Sequence, residues 1–299
     1  MMRKTFTIGV STVGLWITAS ASLLAAGTET SAGLTAASGR NHVMPMTRPN
    51  GGAITPDVVA PNAAKTLSYF GGPVLKSVRV IPVYWNSSVA FQSNLNSFYS
   101  DFTSGSSSMY TSLLTQYSGI GSGTRGTPYV GSKSTGTFTD AQIQAYLTGL
   151  FNSGALPKPN ANTYYPVHFP PGVTIKDSDG AKSCVTWCAY HGTYVYKGID
   201  VNYGIIPDQG GGCAGGCGGN SQRVNNLTSV ASHELVEATT DPAVALAFSY
   251  AAPLAWYNKT YGEIADICNG QQATITANGH TYVVQKEWSN ASNACKTTK

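Results

Sequence analysis

Charged side chains are scarce in this chain. Asp, Glu, Lys and Arg together make up 11% of its 299 residues, against about 25% in typical soluble proteins. The net charge of +4 is spread without a run of Lys and Arg. The sequence therefore offers no basic surface of the kind that binds nucleic acid, and we expect no such partner. Low charge with many small polar residues is instead typical of extracellular proteins.

The chain also lacks an apolar run of about 20 residues, the length that crosses a membrane as a helix. Residues 8–24 are apolar but are interrupted by Ser and Thr, and Arg3 and Lys4 precede them. Small residues suited to cleavage follow, which is the pattern of a secretory signal. We predict a signal peptide over residues 1–26, a secreted protein and no membrane span after cleavage; a retained anchor is the less favoured alternative.

Residues 27–66 are rich in Ala, Thr, Ser, Gly and Pro and show no hydrophobic period. Such a composition buries too little apolar surface to fold alone, so we predict a flexible leader or a pro-segment. Residues 67–299 then form the folded part, which is long enough for one large domain.

Helical and strand patterns alternate along the folded part. Apolar residues recur at helical spacing over residues 91–102, and residues 78–85 have the composition of a strand. Asn278-Gly279 between two β-rich segments predicts a tight hairpin. We therefore predict an α/β or α+β fold, in which a single large domain contains a mixed sheet.

Glutamate is rare, with five residues in the whole chain, and three of the five lie between positions 234 and 263. The segment H-E-L-V-E places His233 and Glu237 one helical turn apart on one face, with Glu234 beside them. This spacing is similar to the H-E-x-x-H helix, which offers two metal ligands and a general base. We predict a zincin-like active-site helix in which His233 and Glu237 bind the metal and Glu234 is the base.

A metal on this helix needs a third protein ligand, and Glu263 lies far enough beyond Glu237 for the chain to turn and return. Asp266 would then accept a hydrogen bond from the His233 imidazole and orient it. His191 is the alternative third ligand and also a candidate catalytic residue that would stabilise an oxyanion. Zinc is the expected cofactor, although Glu in the second ligand position makes the site harder than most catalytic zinc sites.

Two functions from different classes fit these residues. The first is a peptidase-like, metal-dependent hydrolase of an extracellular polypeptide or cell-wall substrate, in which Glu234 takes a proton from the attacking water. The second is a non-catalytic extracellular binding or signalling protein in which the same side chains form a structural polar network. A solvated helix face is a third alternative. The substrate and the oligomeric state stay open.

Six cysteines follow the predicted signal peptide, and an even number in an exported chain indicates disulfides. Four of them form two C-x3-C pairs, a wider spacing than the usual C-x2-C of zinc knuckles, so disulfides are favoured over a thiolate zinc site. The predicted pairs are Cys184–Cys188, Cys213–Cys217 and Cys268–Cys295.

Five blocks of the sequence occur in the same order in a known family. Residues 183–191 (S-C-V-T-W-C-A-Y-H) match a C-x3-C-[GA]-[FY]-H block, and residues 213–217 match a second C-x3-C. Residues 232–242 are similar to H-E-L-A-E-L-A-T-N-P, residues 263–270 to E-I-G-D-L-C-E-G, and residues 283–295 to a final V-Q-x-x-W…C stretch. With these blocks, the globular part resembles the EXORDIUM, or phosphate-induced, protein family of plants.

The resemblance implies a secreted, disulfide-bonded protein of the extracellular matrix or cell wall, in a family that is linked in plants to growth control. It supports the Cys268–Cys295 disulfide, because both cysteines lie in matched blocks. The family pattern also retains the predicted metal ligands, the base and the orienting aspartate, which agrees with the metal hypothesis. It assigns no activity.

Overall fold

A computed structural model describes residues 42–47 and 65–299 of the chain. These residues belong to one compact unit, Ala32–Lys299. The predicted signal peptide over residues 1–26 and most of the predicted leader lie outside the described residues. Within the described ranges, no helix combines the length and the apolar character that a membrane crossing requires.

The described residues form sixteen strands and three α-helices. The strands are β1 (His42–Pro45), β2 (Ser68–Tyr69), β3 (Arg79–Val80), β4 (Val83–Tyr84), β5 (Thr124–Arg125), β6 (Tyr129–Val130), β7 (Gly136–Thr139), β8 (Thr163–His168), β9 (Val173–Lys176), β10 (Trp187–Tyr196), β11 (Ile199–Ile206), β12 (Trp256–Tyr257), β13 (Gln272–Ala277), β14 (His280–Gln285), β15 (Glu287–Ser289) and β16 (Ala294–Lys296). The helices are α1 (Gln92–Phe102), α2 (Asp140–Ser153) and α3 (Arg223–Thr240). Short helical turns cover Met109–Leu113, Leu114–Gln116, Gly211–Gly215, Val244–Leu246 and Asp266–Cys268.

The main sheet has eight strands, with the path β1-β10-β11-β8-β3-β5 and with β4 and β6 beside it. β1, β10 and β11 pair antiparallel, whereas β11, β8, β3 and β5 run parallel. The predicted mixed sheet is therefore confirmed. The strand predicted over residues 78–85 is split into β3 and β4, because Pro82 between them has no N–H to donate to the ladder.

Local patterns predicted the helices and the hairpin correctly. α1 buries Leu95, Phe98 and Phe102 completely, which is the apolar stripe that its spacing indicates. β13 and β14 form an antiparallel hairpin. Asn278 and Gly279 at its turn have φ of +49° and +81°, the positive values that a type I′ turn requires.

The central helix, α3, has almost no solvent-exposed surface. It packs against β14 on one side and against β10 and β11 on another, and its residues from Asn226 to Thr240 are buried. It ends at Thr240, before Pro242, which cannot continue a helix. Because polar and apolar positions of α3 are buried alike, the alternative of a solvated helix face is wrong.

Contrary to the predicted flexible leader over residues 27–66, residues 42–45 form a strand. β1 pairs antiparallel with β10, with His42 opposite His191 and Met44 opposite Ala189. A short segment of poor local propensity gains main-chain hydrogen bonds when it adds to a sheet edge, and composition does not show this. The alternative of a pro-segment stays a prediction.

The six cysteines form three disulfides, as predicted, but with different partners in two of them. The pairs are Cys184–Cys213, Cys188–Cys217 and Cys268–Cys295. The Cys268–Cys295 prediction is confirmed, and the two local pairs are wrong. Because the two C-x3-C motifs have equal spacing, two segments lying side by side bring the first cysteines together and the second cysteines together. The bonds join the glycine-rich loop 210–219 to the start of β10 and fit an oxidising, extracellular environment.

Removal of the C-terminal disulfide should destabilise the protein. The bond closes a sequence separation of 27 residues, so the double substitution Cys268→Ser with Cys295→Ser should lower the free energy of unfolding by about 3–4 kcal/mol through the freer unfolded chain. Urea unfolding of both proteins measures the difference. A loss below about 1 kcal/mol would show that this bond does not constrain the unfolded state as expected.

Candidate metal centre

The middle of α3 carries the two predicted metal ligands and the predicted general base. His233, Glu234 and Glu237 are all fully buried. The Nε2 atom of His233 lies 3.2 Å from Oε1 of Glu237, one helical turn away. The predicted spacing therefore does bring these side chains together on α3.

Four further ionisable side chains reach α3 from other parts of the chain. His191 comes from β10 and His42 comes from β1. Glu263 lies just before the helical turn Asp266–Cys268, and Asp266 is the first residue of that turn. Ion-pair contacts join His191 and Asp266 to α3 directly, and they join Glu263 and His42 to it through these two residues. We call this group the buried cluster; its members are His42, His191, His233, Glu234, Glu237, Glu263 and Asp266.

His191 lies between carboxylates on both sides of its ring. Its Nδ1 is 3.6 Å from Oε2 of Glu234 and 3.5 Å from Oε2 of Glu237. Its Nε2 is 3.5 Å from Oε1 of Glu263. The imidazole thus connects α3 with Glu263, and both alternatives for the third ligand lie in the cluster.

His42 completes the cluster from the edge of the sheet. Its Nδ1 is 2.8 Å from Oε2 of Glu263 and 3.3 Å from Oδ2 of Asp266. The Asp266 carboxylate accepts a hydrogen bond of 3.1 Å from the Glu263 main-chain N–H. Gly262, with φ of +87°, leaves it room, because a Cβ at this position would overlap the carboxylate. Asp266 is therefore held in place by its own loop.

Most of these contacts have the spacing of ligands around an ion rather than that of hydrogen bonds. Atoms about 2.0–2.2 Å from a tetrahedral zinc ion are about 3.3–3.6 Å from one another. N–H···O hydrogen bonds cluster at about 2.9–3.0 Å. Five of the nitrogen–oxygen pairs in the cluster are separated by 3.2–3.6 Å.

The buried polar atoms of the cluster are largely without hydrogen bonds. Among the described residues, neither ring nitrogen of His191 or His233 has a hydrogen-bond partner, nor does either carboxylate oxygen of Glu234 or Glu263. Buried polar groups in folded proteins are nearly always hydrogen-bonded, because desolvation without a partner costs free energy. A cation bound among these donors would satisfy them together.

The cluster is also negatively charged when its carboxylates are ionised. It contains four carboxyl groups and three imidazoles, so it keeps a negative charge even if every imidazole is protonated. Two more fully buried carboxyl groups, Asp241 and Glu287, interact electrostatically with its histidines. A divalent cation would neutralise this excess.

Burial and neighbouring charge compete in setting the pKa values of the cluster. Burial alone lowers the pKa of His191, but the carboxylates, above all Glu263, outweigh it and raise that pKa well above its ordinary value. Burial raises the pKa of Glu263 strongly and brings the pKa of Asp266 to about 6. For Glu237 the charges of His233 and His191 outweigh burial and lower the pKa. Glu237 therefore stays ionised at neutral pH.

Two groups of donor atoms in the cluster can each hold a metal ion. The first consists of His42, Glu237, Glu263 and Asp266, and the second of His191, Glu234 and Glu237. Within each group the donor atoms lie within 4.8 Å of one another. Since Glu237 belongs to both groups, it is the residue on which metal binding should depend most.

Some of the predicted site residues are members of the donor groups, and others are not. Glu237 and Glu263 belong to the donor groups, and His191 belongs to the second. His233 belongs to neither, although its Nε2 faces Glu237. Asp266 does not make the predicted hydrogen bond to His233, because the two atoms are 3.9 Å apart, and it is instead a member of the first donor group.

His42 is not among the predicted site residues, because it lies in the Ala- and Ser-rich segment assigned to a leader. The only local signal is the run H-V-M-P-M, where apolar residues interrupt an otherwise small and polar stretch. Glu287 is also not among the predicted site residues, although it is one of only five glutamates in the sequence. It is fully buried near His233.

Comparison of the chain with protein-family models, with curated protein sequences and with solved structures finds no match in any of the three. The resemblance to the EXORDIUM family therefore stays a prediction. The functional conclusion depends on the buried cluster alone.

Proposed function

We propose that the protein is a secreted, metal-dependent hydrolase of peptidase-like mechanism and that the buried cluster is its metal centre. The observation that supports this proposal is the set of nitrogen–oxygen distances of 3.2–3.6 Å between fully buried side chains, most of whose polar atoms lack hydrogen bonds among the described residues. A structural network of hydrogen bonds would instead have shorter distances and satisfied atoms.

The chemistry of the donors fits a divalent transition metal. Calcium and magnesium prefer oxygen ligands alone, whereas imidazole nitrogens favour zinc and its neighbours. Glu237 would hold the ion with His42, Glu263 and Asp266 in the first group, or with His191 and Glu234 in the second, so each group includes one imidazole nitrogen. We expect zinc on this basis.

The remaining residues would carry out the proton transfers. A bound zinc ion would supply a Lewis acid for a substrate carbonyl. Glu234 lies on α3 beside Glu237, and with both carboxylate oxygens free of hydrogen bonds among the described residues it can accept a proton from the attacking water. When the first group holds the ion, His191 is not a ligand, and its imidazole beside Glu234 can donate a hydrogen bond to a developing oxyanion.

Metal content is the first test of this proposal. We expect about one zinc ion per chain in the secreted, tag-free protein, measured by inductively coupled plasma mass spectrometry. Glu237→Gln should abolish binding because it removes a donor from both groups. The matched His280→Ala should retain the metal, because the exposed His280 pairs with Asp101, outside the cluster. Absence of metal after purification without chelators would contradict the proposal and leave a structural polar network.

One observation favours a second candidate, a non-catalytic extracellular binding or signalling protein with a structural metal. Apart from His42 and Asp266, the side chains of the cluster are fully buried, and a catalytic centre must admit a substrate. The two candidates differ in the effect of Glu234→Gln, which should be silent in a binding protein.

A further inference from the structure

The buried cluster approaches solvent on one side only, where β1 lies. Among the described residues of the cluster, the side chain of His42 is 19% exposed and that of Asp266 is 12% exposed, whereas the other five are at 0%. His42 contacts Asp266 directly. A substrate that reaches the cluster by the shortest route would therefore have to take the place of His42.

The segment 42–47 is held on the sheet mainly through main-chain atoms. β1 pairs antiparallel with β10. Beyond the strand, Met46 N–H donates to the Thr186 carbonyl (3.3 Å), and Thr47 N–H donates to the Gly216 carbonyl (2.8 Å). The Pro45 carbonyl accepts a hydrogen bond of 3.0 Å from Asn269 Nδ2. Another extended polypeptide could make most of these hydrogen bonds, since they do not depend on side-chain identity.

β1 is the edge strand of the main sheet, next to β10. Without β1, β10 would present a row of unpaired main-chain groups, which is a template for an added strand. His42 lies directly opposite His191, so a side chain at this position shares a face with His191 and points toward the cluster. Met44, two residues further, faces the same side and is buried.

We propose that this edge of β10 is the substrate groove, which binds an extended polypeptide antiparallel to β10, and that residues 42–47 occupy it in the intact chain. The proposal rests on the proposed hydrolase function and names its substrate class. In the register of β1, the bound polypeptide passes the cluster at the position of His42. A large apolar side chain two residues toward its C-terminus takes the position of Met44.

The groove opens when residues 42–47 leave β10. Residues 48–64 connect this segment to the rest of the described chain, so a cut within them would leave β1 attached only by its non-covalent contacts. Departure of His42 would also free Oε2 of Glu263 and remove one of the four donors of the first metal group, to which His42 belongs. The same step would thus expose both the sheet edge and the metal centre.

Peptide binding tests the groove without any need for turnover. The full chain is prepared with Glu234→Gln, so that it does not hydrolyse the probe, and with a site-specific protease sequence in place of residues 52–58. The probe is a fluorescent peptide with the sequence of residues 40–49, R-N-H-V-M-P-M-T-R-P. Fluorescence anisotropy is measured before cutting and after cutting and gel filtration, and the melting temperature verifies folding.

We expect the cut chain to bind the peptide and the uncut chain not to bind it at the same concentrations. A peptide with Met44→Ser should bind roughly 10- to 100-fold more weakly, because it loses a buried apolar side chain. In the chain, Gly216→Ala should weaken binding roughly three- to tenfold through disturbed main-chain hydrogen bonding, because its Cβ would lie 2.8 Å from the Thr47 carbonyl oxygen. Gly219→Ala in the same loop should have no effect, because its Cβ would meet no atom within 4 Å.

Three results would contradict the proposal that this edge of β10 is a substrate groove. The cut fragment could stay bound without exchanging for labelled peptide, the Met44→Ser peptide could bind as tightly as the original, or cut and uncut chains could bind alike. The first result would make β1 a permanent strand of the sheet, and the other two would mean that the peptide binds outside the groove. Failure of the hydrolase proposal would give a different result. The peptide would bind the groove, but the cut chain without the Glu234→Gln substitution would hold no metal and hydrolyse no peptide. That result would support the groove and contradict the enzyme.

Discussion

We expect a chelator to lower the melting temperature of the secreted protein by roughly 8–16 °C. An ion present at about a thousand times its Kd stabilises a protein by about 4 kcal/mol, and each kcal/mol shifts the melting temperature of a domain of this size by about 2–4 °C. The stabilisation is lost because buried carboxylates such as Glu237 and Glu263 would no longer face a cation. Scanning calorimetry of the full chain with and without chelator measures the shift.

The Glu237→Gln variant provides the control for this shift. Because Glu237 belongs to both donor groups, the variant should show no further decrease in melting temperature when the chelator is added. Zinc added back after chelation should restore the melting temperature of the unsubstituted protein only. An equal shift in both proteins would mean that the chelator acts elsewhere, and no shift in either would contradict a metal in the buried cluster.

Features that depend on neighbouring residues could be predicted from the sequence. The apolar stripe of α1 follows from residue spacing within about three turns of one helix. The hairpin at Asn278 and Gly279 forms because these two residues tolerate positive φ. The spacing of His233 and Glu237 likewise follows from the geometry of one helix. In each case the energetic preference is local, so one segment of sequence contains it.

Features that depend on distant segments could not be predicted. β1 precedes every other described strand in the chain, yet its partner is β10, and no local pattern identifies an edge that gains a strand. The pairing of Cys184 with Cys213 likewise depends on how the glycine-rich loop lies beside β10. The absence of His42 from the predicted site and the wrong disulfide partners have this same cause.

The surroundings of α3 could not be predicted either. The sequence places polar and apolar residues on the helix but does not show that β14 packs on one side and β10 with β11 on another. A half-exposed helix would have left Glu234 and Glu237 solvated and given them ordinary pKa values. Full burial from several sides is what shields them from solvent and supports the cation hypothesis.

Glu234→Gln is expected to lower kcat/KM for peptide hydrolysis by about 100- to 10,000-fold, the range of general acid–base catalysis. The amide has nearly the shape of the carboxylate, but it cannot accept the proton of the attacking water. Metal should be retained, because Glu237, Glu263 and Asp266 of the first donor group do not depend on Glu234 and stay in the cut chain. Hydrolysis of a peptide library by the cut chain, with metal content measured on the same samples, gives both quantities. His280→Ala, at an exposed histidine that pairs with Asp101 outside the cluster, should leave hydrolysis unchanged.

The stability of the Glu234→Gln variant then separates an enzyme from a structural metal protein. The carboxylate of Glu234 is fully buried, its nearest imidazole nitrogen is 3.6 Å away, and burial raises its pKa. An ionised group in this position destabilises the fold, so the neutral amide should melt at the same temperature or higher. If Glu234 serves catalysis, the variant should lose hydrolysis without losing stability. A variant that melts lower and hydrolyses peptides at the original rate would assign Glu234 to a structural network and favour the binding protein.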